Sequence, residues 1–310
     1  GPAVARPGDT ITLSYTAHNS GTADATGTWR DRIYLETQDG TLVQIASKFY
    51  TDGLPAGTSA LRNVSFTLPA NFVEGSYTWV VSTDTDNTVY ERDGEGDNLA
   101  RGGTALTVAR PDLAVSTVTG PSLVQSGSTI HVDWTVTNHG GLASTGCVDR
   151  IYISHNGALT QFAEVAHAGP LDTGASYTAG ADLALPLAYD GEYAIVVVTD
   201  AAHALDEHSR TDDTGQQTLT VQLAPHADLA VGAVQAPTSL IADPATLDVS
   251  WTVTNQGTGA GLTSQWTDKV VLSTDDVLGN GDDHVLGTIL HDGALAVGES
   301  YTGHLSTLLT

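Results

Sequence analysis

Residues 129–138 read TIHVDWTVTN, and residues 147–154 read CVDRIYIS. In the first stretch apolar and polar side chains alternate strictly, and the apolar positions are Ile130, Val132, Trp134 and Val136. A period of two is typical of a β-strand with one buried face and one solvated face. The chain shows no helical periodicity anywhere. These two stretches therefore predict paired strands in an all-β protein.

The same pair of stretches occurs twice more in the chain. ITLSYTAHNSG at 11–21 is followed by DRIYL at 31–35, and LDVSWTVTNQG at 247–257 is followed by DKVVL at 268–272. The matching asparagines lie 119 and 117 residues apart, at Asn19, Asn138 and Asn255. Solenoid repeats run about 20–50 residues, so a period of this size indicates tandem domains.

Two short proline-containing linkers, residues 109–112 and 224–228, divide the chain into three predicted domains. These are 1–110, which lacks the first strand, the complete repeat 111–225, and 226–310, which lacks the last strands. About seven short strands separated by turn signals predict an immunoglobulin-like antiparallel β-sandwich for each. The cut ends predict an excised piece of a longer chain, and Gly1-Pro2 is interpreted as the remnant of a cleaved tag.

The charge of the chain is strongly negative. Eleven Lys and Arg residues stand against 36 Asp and Glu residues, which gives a formal net charge of −25. Such a field disfavours nucleic acid and anionic lipid as partners and favours divalent cations. The single cysteine, Cys147, excludes an internal disulfide framework. No apolar run reaches the ~18 residues that a membrane-spanning helix needs, so membrane insertion is not expected.

The aromatic residues of the repeated strands are predicted to form the core. Trp134, Trp251 and Tyr15 share one position on the buried face, and Trp29 and Trp266 share a second, which Cys147 fills in the middle repeat. Cys147 is accordingly interpreted as a small buried residue. The acid–base pairs Asp31-Arg32, Asp149-Arg150 and Asp268-Lys269 are interpreted as cross-strand charge pairs.

Acidic residues cluster in the loop before the last strand of the first two repeats and in a hairpin of the third. The first cluster comprises Asp84, Asp86, Asn87, Glu91, Asp93, Glu95, Asp97 and Asn98. The second, sparser cluster comprises Asp200, Asp206, Glu207, Asp212 and Asp213. The third comprises Asp275, Asp276, Asn280, Asp282 and Asp283. Oxygen ligands concentrated on loops suit Ca²⁺, the one cofactor predicted here, whereas the alternative is solvated loops that aid solubility.

No residue pattern predicts catalysis. The histidines lack metal-ligand spacing, and the chain has no Gly-rich phosphate loop, GxSxG elbow or carboxylate pair in an apolar setting. We therefore predict that the chain is not an enzyme.

Four stretches together resemble a known family. They are PDLAVSTV at 111–118, WTVTNHG at 134–140, DRIYIS at 149–154 and GEYAIVVVTD at 191–200, joined by the acidic VYERDGEGDN at 89–98. The combination is similar to CARDB, the bacterial cell-adhesion-related domain with an immunoglobulin-like fold. The resemblance implies tandem domains in a large secreted or cell-surface bacterial protein, with a spacer or adhesive role and calcium at the acidic ends. The middle repeat departs from the acidic Asp-Asn ending at residues 212–214.

Two functions follow as expectations. The first is a non-catalytic extender or adhesive segment of a large secreted or surface-anchored protein, whose partner is an unknown surface receptor or neighbouring repeats of the same chain. The alternative is an ancillary domain array beside the catalytic domain of a secreted hydrolase. The sequence on either side of residues 1–310 discriminates between them.

Overall fold

The computed structural model describes residues 1–92, 94, 96–241, 243–261 and 263–309, and these residues form strands, turns and loops without a helix. Clustering of contacts gives two compact units. The first contains Gly1–Val124, Thr129–Leu185 and Gly191–Thr220, and the second contains Gln125–Ser128, Pro186–Asp190 and Val221–Thr310. The three proposed domains, with boundaries at 110 and 225, stay a prediction. Among the described residues no helix is long and apolar enough to cross a membrane.

The described residues of the first repeat form seven strands in two sheets. They are β1 Val4–Ala5, β2 Thr10–His18, β3 Trp29–Glu36, β4 Leu42–Tyr50, β5 Ser59–Thr67, β6 Gly75–Ser82 and β7 Leu99–Val108. One sheet has the order β1-β7-β6-β3-β4, and the other pairs β2 with β5. All of the pairs are antiparallel except β1 with β7, which are parallel.

The second repeat contains eight strands in two sheets. They are β8 Leu113–Thr119, β9 Leu123–Gln125, β10 Thr129–Asn138, β11 Cys147–His155, β12 Ala158–His167, β13 Ser176–Ala184, β14 Gly191–Val198 and β15 Thr214–Gln222. The sheet orders are β13-β10-β8 and β12-β11-β14-β15-β9. β10 and β11 lie in different sheets, so the predicted pairing of these two strands with each other is wrong; each instead pairs antiparallel with neighbours in its own sheet.

In the part of the third repeat that the structure describes there are five strands. They are β16 Leu229–Gln235, β17 Ala245–Asn255, β18 Gln265–Leu272, β19 His284–Asp292 and β20 Ser300–Leu309. The orders are β16-β17-β20 and β18-β19. The inward residues Val249, Trp251 and Val253 form the core of this repeat.

The alternating residues fill the interiors as predicted. Trp134 and Trp251 are only 1% and 5% exposed, and Trp29 is also buried, as is Cys147. Burial raises the pKa of the Cys147 thiol, which therefore stays protonated and unreactive at neutral pH. The predicted core role of these residues is confirmed.

Three local predictions can be compared with the backbone. The Asn156-Gly157 dipeptide predicts a two-residue type I′ hairpin, and both residues have the positive φ that this turn requires, 50° and 82°. The Tyr77 hydroxyl donates to the Val73 carbonyl at 2.8 Å, as in a tyrosine corner, whereas the sequence predicts that motif at Asp190-Gly191-Glu192-Tyr193, where it stays a prediction. Gly1 lies against Trp79 and Leu13, and Gly120, 119 residues on, lies against Ile195 and Val132. Gly1-Pro2 thus matches Gly120-Pro121 in the repeat pattern, and its interpretation as a tag remnant stays a prediction.

Candidate functional site

In each repeat, the aspartate that begins the DRIYL-type stretch lies inside the sandwich; these aspartates are Asp31, Asp149 and Asp268. The carboxylate of Asp149 is fully buried and accepts hydrogen bonds from Trp134 Nε1 at 2.7 Å and from the Tyr177 hydroxyl at 2.7 Å. Asp268 accepts from Trp251 Nε1 at 2.7 Å and from the Tyr301 hydroxyl at 2.6 Å. A buried carboxylate with such donors links the two sheets, because each donor belongs to the opposite sheet.

Asp31 is the matching aspartate of the first repeat, where Tyr15 is the donor from the opposite sheet. The Tyr15 hydroxyl donates to one of its oxygens and the Thr83 hydroxyl donates to the other, both at 2.7 Å. The interpretation of these aspartates as cross-strand charge pairs is therefore wrong. Arg150 instead forms the cross-strand pair with Glu164, its register partner, at 2.8 Å.

In each repeat, the repeated asparagine lies at the centre of the hydrogen bonds that order the linker end of the sandwich. Asn138 is fully buried; its Nδ2 donates to the carbonyls of Leu142 and Leu171, at 2.7 and 2.9 Å. Its Oδ1 accepts the backbone N–H groups of Asp112 and Gly140, at 3.1 and 3.0 Å. The side chain thus fixes a loop and the linker that enters the second repeat.

The third repeat reproduces this arrangement within its own unit. Asn255 donates to the carbonyls of Gly259 and Leu295 and accepts the backbone N–H groups of Asp228 and Gly257. Gly257 allows the close approach, since a Cβ there would lie 2.2 Å from the His226 carbonyl oxygen. The sequence repeat located these asparagines but gave no indication of this role.

In the first acidic loop, Asp84 and Asp86 bond within the protein. Asp84 is buried at positive φ and accepts the backbone N–H groups of Thr88 and Val89, at 3.0 and 2.8 Å. Asp86 pairs with Arg30 and Arg32. Asp84 therefore folds the loop, as a short acceptor does in turns. Asp93 and Glu95 lie outside the described residues.

The second acidic loop gathers three predicted ligands around one cation. The Arg210 Nη1 lies 3.2 Å from Asp200, 3.1 Å from Glu207 and 3.3 Å from Asp213. Asp200, buried at positive φ like Asp84, also accepts the backbone N–H groups of Ala204 and Leu205. Arg210 thus supplies the positive charge where the sequence predicts calcium.

The same loop holds the linker between the first two repeats. Glu207 accepts the backbone N–H of Leu113 at 3.0 Å, and the His208 N–H donates to the Pro111 carbonyl at 2.9 Å. The Ser209 N–H donates to Asp112 at 2.9 Å. The connection is consequently ordered on both sides, by Asn138 and by this loop.

Arg110 joins the linker to the end of the first repeat. Its guanidinium donates to Glu74 at 3.1 Å, to Asp206 at 2.9 Å and to the Ala70 carbonyl at 2.8 Å. His208 contacts the same Glu74 carboxylate at 3.2 Å. Arg6 adds a bond to the Ala143 carbonyl at 2.9 Å. These contacts form the junction, defined here as Arg6, Glu74, Arg110, Asp206 and His208.

Burial shifts the pKa values of carboxyl groups in the second acidic loop. It raises the pKa of Glu207 to about 7 and that of Asp213 to about 6, because Arg210 only partly offsets the desolvation. Burial also acts on Glu74, but the hydrogen bonds from His208 and Arg110 outweigh it and lower that pKa. The same contact with Glu74 raises the pKa of His208.

Stability of the first unit is expected to fall as pH rises from about 5 to 8. Because the pKa of Glu207 is 4.5 in the unfolded chain and about 7 in the folded chain, ionisation stabilises the unfolded state first as pH rises, and the free energy of unfolding falls by about 3 kcal/mol. The stabilisation from protonated His208 is complete below its unfolded pKa and is also lost as pH rises. Glu207→Gln keeps an acceptor for Leu113 N–H and should flatten the melting temperature against pH. An unchanged pH profile in this variant would contradict the assignment.

The acids of the third repeat also bind within their loop. Asp282 accepts from the Thr274 N–H at 3.0 Å and from the Ser273 hydroxyl at 3.1 Å, and the Thr274 bonds lower its pKa. Asp275 accepts from Asn280 Nδ2 at 3.0 Å, and the Gly279 N–H donates to Asp283. Asp276 lies in the same loop.

Within the described part of the chain, no three Asp, Glu, His or Cys side chains are arranged to hold one metal ion. The described carboxylates whose contacts are given above are engaged with backbone N–H groups, hydroxyls or guanidinium groups. Their geometry does not fit a formed calcium site, and calcium binding stays a prediction.

Comparison with known proteins identifies the family to which the chain is similar. The CARDB family model matches residues 1–101 and 110–217. A crystal structure of a CARDB domain from Pyrococcus furiosus in complex with di-metal ions is 22% identical, covers 37% of this chain and 96% of its own, and has a TM-score of 0.31. A solution NMR structure of a Pyrococcus furiosus CARDB domain is also 22% identical, with coverages of 37% and 98% and a TM-score of 0.30.

A β-glucosidase from Listeria innocua in complex with glucose is similar over 37% of this chain and 16% of its own, at 16% identity and a TM-score of 0.27. A search of curated proteins gives no match. The family model covers two stretches that together exceed half of the chain, and each coincides with one set of the strands described above. The chain therefore belongs to the CARDB family, with two CARDB domains in tandem.

Proposed function

We propose that the chain is a non-catalytic extender of a large secreted or surface-anchored bacterial protein, in which the junction holds the first two CARDB domains in a fixed orientation. The contacts of Arg110 carry this proposal. One guanidinium on the linker binds Glu74 and Ala70 of the first repeat and Asp206 of the second. A spacer transmits position only if its joints resist bending, and this residue bridges the joint.

The burial of the junction supports a rigid joint. Arg110 and Glu74 side chains are only 16% and 23% exposed, so their attraction is screened less than that of a surface pair. Gly140 adds close packing, since a Cβ there would lie 2.4 Å from the Arg110 carbonyl oxygen. An adhesive role and a receptor stay predictions.

Arg110→Ala is expected to loosen the joint without unfolding either domain. Spin labels on cysteines at Gln38 and Thr173, both exposed, report the distance between the two repeats in the full chain; Cys147 is too buried to compete. The distance distribution should be narrow in the parent and at least about twofold broader in the variant, because three bonds across the joint are lost. Arg110→Lys, which keeps the charge but not the planar fork, should be intermediate.

Arg101→Ala is the matched control. Arg101 also donates two hydrogen bonds to a carboxylate, that of Glu36, but both residues lie within the first repeat. This variant should leave the distribution unchanged. A broad distribution in the parent would contradict the extender proposal. Running each sample with EDTA and then with calcium chloride tests calcium separately, since narrowing by calcium alone would assign stiffness to the ion.

A further inference from the structure

The chain contains two Asn-Gly dipeptides, and the structure places them in different settings. Asn156-Gly157 is the two-residue turn between β11 and β12, whereas Asn280-Gly281 lies in the longer loop 273–283 between β18 and β19. Both dipeptides are exposed. Asparagine is thermolabile, and a following glycine, which has no side chain, lets its backbone nitrogen approach the asparagine side chain closely. The local structure decides which of the two dipeptides can react.

The hairpin holds Asn156-Gly157 in one conformation. The two residues have φ of 50° and 82°, and His155 and Ala158 on either side of them are register partners. The strands that such a turn joins set its backbone dihedral angles. Bringing the Gly157 nitrogen onto the Asn156 side chain therefore requires the end of the hairpin to open.

The loop 273–283 places no such restraint on Asn280-Gly281. Neither residue has a positive φ, and neither belongs to a strand. Among the described residues, no hydrogen bond engages the Gly281 N–H. Apart from the chain neighbours, no heavy atom lies within 4 Å of the position that a Cβ at Gly281 would occupy. The Gly281 nitrogen is thus accessible and has no competing partner.

A backbone donor lies at the side-chain oxygen of Asn280. The Asp282 N–H donates to Asn280 Oδ1 at 3.3 Å. If a nitrogen adds to Asn280 Cγ, negative charge develops on this oxygen, and a donor already in place stabilises that charge. The Asp282 N–H therefore favours addition to the Asn280 amide.

A carboxylate lies at the side-chain nitrogen of Asn280. Nδ2 donates to the two oxygens of Asp275, at 3.2 and 3.0 Å. The Val277 N–H donates to the same carboxylate at 2.8 Å and so holds it in position. A carboxylate at this nitrogen stabilises the positive charge that the amine gains when it takes up a proton and leaves. Asp275 therefore favours the departure of ammonia.

We propose that Asn280-Gly281 is a self-modification site, at which the Gly281 backbone nitrogen displaces ammonia from the Asn280 side chain and forms a succinimide. The N–Cγ bond forms, the Cγ–Nδ2 bond then breaks, and the proton lost by the Gly281 nitrogen leaves with the ammonia. The loop supplies the proximity that this ring closure needs. One water molecule then opens the ring at either carbonyl and gives aspartate or isoaspartate.

The net reaction consumes one water and releases one ammonia, without an oxidant or a reductant. The inference does not depend on the extender role.

The product changes the contacts of the loop. A carboxylate at position 280 replaces the amide that bonds to Asp275, and two carboxylates so close to each other repel. The N–H groups of Val277 and Gly279, which donate to Asp275 and Asp283, are therefore expected to exchange with solvent faster. Modification thus loosens the connection between β18 and β19.

The first test follows the reaction in the full chain. The protein is incubated at neutral pH in heavy-oxygen water and mapped by peptide mass spectrometry. The peptide that contains residue 280 should lose ammonia, gain one heavy-oxygen atom and yield both aspartate and isoaspartate. Asn156 in the same sample is the control and should react at least about tenfold more slowly, because its turn is fixed.

Three substitutions test the parts of the site. Gly281→Ala fits the open space but hinders the approach of the nitrogen, so the reaction should slow at least about tenfold. Asp275→Asn removes the negative charge at the leaving amine and should slow it at least about threefold. Asp276→Asn is the matched control and should change nothing, since no hydrogen bond engages the Asp276 side chain in the described part of the loop. Circular dichroism verifies that the variants are folded.

Equal rates at Asn156 and Asn280, or an unchanged rate in Gly281→Ala, would overturn the site. Aspartate as the sole product would indicate direct hydrolysis and would overturn the succinimide. An Asp275→Asn variant that reacts as fast as the parent would overturn the part assigned to Asp275. Asn280→Asp reproduces one product, and unchanged amide exchange at Val277 and Gly279 in this variant would overturn the loosening of the loop.

Discussion

Asn138→Ala is expected to lower the free energy of unfolding of the second repeat by about 3–4 kcal/mol. The side chain makes four hydrogen bonds, to the Leu142 and Leu171 carbonyls and from the Asp112 and Gly140 N–H groups. Each buried group left without a partner costs about 1–3 kcal/mol, less where relaxation admits water. Chemical denaturation followed by tryptophan fluorescence measures the loss.

Asn19→Ala is the matched control, because Asn19 lacks the hydrogen bond to the linker that Asn138 forms. Asn19 bonds to the carbonyls of Ala23 and Leu54 and to the Gly21 N–H, and it is only half-buried. The expected loss is about 1–2 kcal/mol, because fewer groups are affected and they reach solvent more easily. Equal losses in the two variants would show that the bond from Asn138 to the linker contributes nothing.

Trp134→Ala is expected to cost about 3–5 kcal/mol, since it empties the largest fully buried side chain and removes a donor from the buried carboxylate of Asp149. Trp134→Phe separates the two effects. It retains most of the ring volume and still loses the Nε1 bond, so an intermediate loss is expected. The measurement is again the free energy of unfolding.

Asp133→Ala is the control on the same strand. Its side chain is 53% exposed on the opposite face, where surface substitutions change stability by about 0.5 kcal/mol or less. A loss at Trp134 no larger than this would refute the central position of that residue in the core.

The sequence was sufficient to predict the sandwich because alternation is a local signal. The positions of Trp134 and Trp251 follow from the period of two, and the hairpin at Asn156-Gly157 follows from residues that tolerate positive φ. Repetition at about 118 residues then transferred each assignment to the other repeats.

The roles of the polar residues depend on partners distant in sequence. Asp149 looked like half of a surface pair because Arg150 is adjacent, but its donors Trp134 and Tyr177 lie 15 and 28 residues away. Glu207 and Asp213 looked like metal ligands, and only the folded loop brings Arg210 between them. Composition shows how many charged residues the chain has, but not which of them pair with an opposite charge in the folded state.

The parallel pairing of β1 with β7 has a mechanical consequence. The Thr107 and Ala109 N–H groups donate to the Ala3 and Ala5 carbonyls, at 2.8 and 3.1 Å, and the chain continues from Ala109 into the linker. Tension along the polypeptide therefore pulls these two segments past each other, so that their hydrogen bonds share the force and must rupture together rather than unzip singly. An applied force would therefore unfold the interior of the first domain only after the hydrogen bonds between β1 and β7 had broken.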